Sequence, residues 1–124
     1  MFPQIHMIRT LFLILLIFCS ISTCQKTNEF HHILLYTWSE NVGGQKKEAF
    51  LKIFEELPSA IEGLEKVRIA EIENSSGDYD FVIDLTFSSN RILKHYQSHP
   101  NHQKIEHLAN EVIQDYSYFQ YSMK

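Results

Sequence analysis

Residues that break secondary structure are scarce in this chain, with four glycines and three prolines in 124 residues. That excludes a collagen-like or Pro/Gly-rich disordered chain and leaves long stretches free to form helices and strands. Cysteine is scarcer still, at Cys19 and Cys24 alone. A disulfide scaffold needs more thiols than this, and no HExxH-type or multi-cysteine frame suggests zinc. Clusters of positive charge are missing too: Lys and Arg number 11 against 15 Asp and Glu, a formal net charge of −4. Such a chain has no footprint for a phosphate backbone, so nucleic acid is not an expected partner. No internal repeat or low-complexity segment is present. The chain also lacks any apolar run long enough to span a bilayer, which takes roughly 20 residues.

What apolar run there is lies near the start. LFLILLIFC, Leu11 to Cys19, follows a segment with one cation, Arg9, and no acid. A charged start, a short apolar middle and small residues before a cut make a secretion signal. Ile21-Ser22-Thr23-Cys24 resembles the lipobox of bacterial lipoproteins, with Thr23 where a smaller residue is usual. The resemblance implies residues 1–23 as signal peptide, Cys24 as a lipidated N-terminus in the bacterial cell envelope, and 24–29 as a polar tether. Plain secretion or a periplasmic location without lipid is the alternative. Without Arg9, ten Lys or Arg stand against the fifteen acids, so the exported part is acidic.

Residues 30–124 then form one small domain by length. FHHILLYTW (Phe30 to Trp38) reads as a strand with two largely apolar faces, which predicts cover on both sides. After Gly43-Gly44, Phe50, Ile53, Phe54 and Leu57 fall at i, i+3, i+4 and i+7, a helical stripe that Pro58 and Gly63 end or break into a final turn. KVRIAEI and DFVIDLTF read as two further strands around the turn-rich NSSGDYD. Ser88 or Ser89 can cap the next helix, NRILKHYQ, and Pro100 ends it while suiting the first turn of another. QDYSYFQYSM closes the chain as an aromatic strand. The order is β-α-β-β-α-β with the second α broken at Pro100, the split-βαβ, ferredoxin-like α+β arrangement with helices on one face of a four-stranded antiparallel sheet. The face left apolar predicts a second layer, most simply another copy of the chain as a homodimer.

FHHILLYTW, the Phe54/Leu57 helix, DYDFVIDLTF and above all YQSHPNH ahead of a helix resemble the stress-responsive A/B barrel (Dabb) family over Phe30 to Tyr121. The resemblance implies a dimeric α/β barrel. A plant polyketide cyclase of that family implies His102 as catalytic base, Tyr96 as an orienting hydroxyl and His32 as a first-strand partner. Two of its polar pocket positions are taken by Phe54 and Phe81 here. The expected pocket, between sheet and helices, is lined by these residues and His99.

Other roles remain open for the same side chains. His102 and His99 can bond backbone at the helix break, and Tyr96 can pack beneath it. His95, His99, His102 and His107 do not share one continuous helix, and His31 and His32 point to opposite faces, so neither a metal nor a haem or other cofactor is expected. The function this supports is binding of a small hydrophobic carbonyl ligand, with cyclisation or isomerisation as its catalytic extension. A non-catalytic, stress-related envelope dimer is the alternative, followed by a monooxygenase-like enzyme.

Overall fold

The computed structural model describes residues 28–123. The expected signal segment and Cys24 lie outside the described residues. Seven elements follow one another: β1 Phe30–Trp38, α1 Gly44–Ala60, β2 Leu64–Glu71, β3 Phe81–Phe87, α2 Asn90–Ser98, α3 Pro100–Val112 and β4 Ile113–Ser122. The sheet order is β2-β3-β1-β4, every pair antiparallel. This is the ferredoxin-like α+β fold, with three helices.

The helical stripe of α1 buries Phe50, Phe54 and Leu57 completely. Pro58 does not stop this helix, which runs on to Ala60 before Gly63 turns the chain. Gly63 holds φ at 91°, and a Cβ there would lie 2.8 Å from Ile92 Cγ1. Only glycine meets both demands without strain. β2 begins at Leu64, two residues ahead of the expected Lys66, because Leu64 pairs with Phe87 across a register shift.

Alternation along the strands sorts the sheet into two faces. Leu34, Tyr36, Phe81, Ile83, Leu85 and Phe87 point to the helices and join Phe50, Phe54, Leu57, Leu93, Tyr96, Ile105 and Val112 in one core. The opposite face carries His31, Ile33 and Leu35 with their cross-strand neighbours Thr86, Asp84, Val82, Tyr121 and Phe119. All three helices serve the first face. The second face of β1 therefore has no helix over it, although half its side chains are apolar.

Candidate functional site

The histidine-proline segment places the site through its backbone. Asn90 opens α2 behind Ser89, whose Oγ accepts from the Ile92 N–H at 3.4 Å. Pro100 pushes the residue before it out of the helical region, and His99 has φ −76° and ψ 144°. His99 thereby ends one helix and caps the next. Its N–H donates to the Tyr96 carbonyl at 3.0 Å, and its Nδ1 accepts from the Asn101 N–H at 3.1 Å. Tyr96 is left in the last turn of α2 and His102 in the first turn of α3. Their rings meet edge to face with centroids 4.9 Å apart.

A cavity of about 500 Å³ opens beside this pair, between the helices and the β1–β4 half of the sheet. His32, Tyr36, Tyr96, His102, Tyr116 and Tyr118 border it, Leu34, Ile105 and Ala109 supply apolar wall, and Gln97, Glu106 and Asn110 complete the lining. The register brings Gln120 opposite His32. Gln120 Nε2 lies 3.1 Å from His32 Nδ1. With the amide donating to Nδ1, the proton of a neutral ring belongs on Nε2. Burial first, and then the charge of His102, push the His32 pKa down to about 4. His32 is therefore a neutral imidazole at neutral pH.

Both buried phenols are held protonated. Burial, reinforced by Tyr36 and Glu106, raises Tyr96 well above the ordinary phenol value, and burial with Tyr116 does the same to Tyr36. His102 differs, since its side chain is 23% exposed and Nδ1 lies 3.6 Å from Glu106 Oε1, one turn along α3. That separation is an ion-pair distance rather than a hydrogen bond. The wall thus combines neutral hydrogen-bond donors with one solvent-reaching imidazole and the Glu106 carboxylate.

Of the expected site residues, His102, Tyr96 and His32 meet at this cavity, whereas Phe54, Phe81 and His99 do not border it. Phe54 lies wholly inside the core, with its ring against Tyr36 and Phe50. Phe81 stacks on Trp38 at 4.3 Å and borders a second cavity of about 490 Å³ at the other end of the sheet. His99 is spent on capping α3. The aromatic last strand can line a pocket or fill the barrel, and Tyr116 and Tyr118 border the cavity, whereas the parts of Tyr36, Gln120 and Glu106 are not evident from residue order. The alternation of Tyr116, Tyr118 and Gln120 along the last strand was the available signal, but it needed the β1–β4 register. No cluster of three or more potential metal ligands occurs among the described residues.

The stress responsive A/B barrel domain family matches residues 30–123. The chain belongs to this family. Among solved structures, a dimeric ferredoxin-like protein of unknown function from Thermobifida fusca is similar at 22% identity and a TM-score of 0.67, covering 79% of this chain and 93% of that one. A Dabb family protein from Mesorhizobium loti is similar at 18% identity and a TM-score of 0.65, over 76% and 95% of the two chains. The hydroxynitrile lyase of Passiflora edulis reaches a TM-score of 0.71 at 9% identity, over 79% and 95%. No curated protein matches the chain. The matches cover nearly all of each of these chains, and residues 30–123 hold every strand and helix of the core described above.

Proposed function

We propose that this A/B barrel domain binds a small, largely hydrophobic carbonyl compound in the cavity beside His102, and that His102 serves there as a proton acceptor. The carrying observation is that one accessible imidazole, with Glu106 3.6 Å away, shares a cavity of about 500 Å³ with the neutral His32 ring and the protonated phenols of Tyr36 and Tyr96. The volume is in the range of small-ligand sites. A carbonyl oxygen would accept from the His32 N–H or a phenol while His102 removes a proton from the adjacent carbon. Developing negative charge on that oxygen is what such neutral donors stabilise. One structure of the same fold is a hydroxynitrile lyase, which supports catalysis as a use of the fold and says nothing of the substrate here.

The test is to expose the domain to aromatic ketones and aldehydes while the imidazole C–H signals are followed by NMR. His102 and His32 should shift, and the exposed His95 and His107 should not. His102→Ala should leave the fold intact, weaken binding and remove proton exchange at the carbon next to the carbonyl. Unchanged exchange in that variant would end the catalytic part of the reading.

The same proposal includes the assembly and its location. Two copies close a barrel through the helix-free sheet face; dimeric relatives and the apolar side chains on that face support this. Residues 1–23 export the chain, Cys24 carries the lipid, and 24–29 tether the domain to the envelope. Replacing Cys24→Ser should release the protein from the membrane fraction and abolish its labelling by fatty acid.

A further inference from the structure

On the helix-free face, His31 is held differently from every other histidine of the domain. Its Nδ1 lies 3.0 Å from Asp84 Oδ1, and its Nε2 lies 3.5 Å from Glu29 Oε2. A neutral imidazole has one N–H to donate, and its other nitrogen presents a lone pair. With a carboxylate at each nitrogen, the neutral ring must direct that lone pair at a negative oxygen. The imidazolium donates to both. Tyr121 lies flat against the ring, centroids 4.5 Å apart and planes 2° from parallel, a stacking that also favours a cation. Thr86 Oγ1 stands 3.5 Å from Nδ1. The His31 side chain is only 8% exposed, so water supplies little of the missing compensation.

The remaining charges of this face sit farther out. Arg68 on β2 is 3.9 Å from Asp84 Oδ2 with a side chain 63% exposed, and Lys66 follows on the same edge strand, also exposed. β1 and β4 add Ile33, Leu35 and Phe119 around the cluster. Sealing the face with another copy would withdraw Asp84 from water, while the cations at the edge stay solvated. A neutral His31 leaves that carboxylate poorly compensated, which is costly in a buried interface. A protonated His31 compensates it.

We propose that the helix-free sheet face is a proton-gated interface with a second copy of this chain, in which His31 between Asp84 and Glu29 is the gate. The inference rests on the dimer reading given above. Self-association tightens as pH falls through the range in which histidine titrates. By linkage, the dimer holds protons that the separated chains release. A two-fold axis sets two such clusters in the interface, so the effect enters twice.

Sedimentation of residues 25–124 over a concentration series, at about pH 8 and about pH 5.5, tests this. The dimer dissociation constant should be at least about tenfold lower at the acidic end, the factor for one unit of pKa change. His31→Gln should remove that dependence while leaving a dimer. Should His31→Gln not fold, Glu29→Gln, at a half-exposed position, should still reduce the slope by removing one acceptor. A dissociation constant that ignores pH, or a slope unchanged in the folded variant, overturns the gate and leaves the dimer standing. Single molecules at every pH and concentration overturn both.

Discussion

Two neighbouring histidines separate the two faces of the sheet. His32 points to the helices, where its Nδ1 meets the neutral Gln120 amide and burial holds the ring uncharged. His31 points away from them and meets two carboxylates and an aromatic plane. One residue of register separates a ring built to stay neutral from a ring surrounded by acceptors. The helix face behaves as an interior, in which His32 has a neutral partner and the buried phenols stay protonated. The other, with no helix over it, mixes apolar side chains with paired charge.

The largest test of that contrast is steric. Phe54→Ala, inside the core, should cost about 3–5 kcal/mol in urea unfolding. Phe119→Ala, on the opposite face and 51% exposed, should cost at most about 1 kcal/mol in dilute protein. Its cost should rise with protein concentration, because anything that binds the folded state adds to its stability by mass action. Equal costs at high dilution would mean that the two faces are not different in kind.

A smaller effect comes from His32. Its folded value near 4 lies below the ordinary 6.5, so acid favours the unfolded chain, which takes up the proton first. The contribution is complete above about pH 6.5 and lost as pH falls toward 4, by roughly 2–3 kcal/mol for a shift of this size. Unfolding free energies at about pH 7 and pH 4.5 should differ less in His32→Gln than in the parent.

Much of this architecture was legible in residue order. The α1 stripe, the two-faced first strand and the break at Pro100 follow from periodicity and backbone stereochemistry, which act over a few residues. Pairing is not local. Gln120 meets His32, and Tyr121 meets His31, across nearly ninety residues of chain. The cavity wall from Tyr36 to Tyr118 is created by that register, and Phe54 and Phe81 fell on the far side of it. Half of β1 pointed to a second layer, and its apolar residues were readable. The contacts around His31 were legible only in part: Glu29 stands two residues before it, but Asp84 and Tyr121 come from separate segments.

His99 gives the smallest effect and the finest separation of site from scaffold. It stands three residues from His102, and residue order alone suggested both for the pocket. The structure gives His99 a local role: its Nδ1 accepts from the Asn101 N–H, and its extended backbone lets Pro100 start α3. Asparagine at a helix N-cap supplies an equivalent acceptor, whereas alanine supplies none. His99→Ala should therefore cost about 1 kcal/mol in urea unfolding, and His99→Asn almost nothing. Neither should alter ligand binding beside His102, provided α3 still begins where it does. If His99→Asn weakened binding while retaining full stability, the His99 imidazole would have to reach the ligand itself, and the boundary drawn here between the cap and the cavity would be in the wrong place.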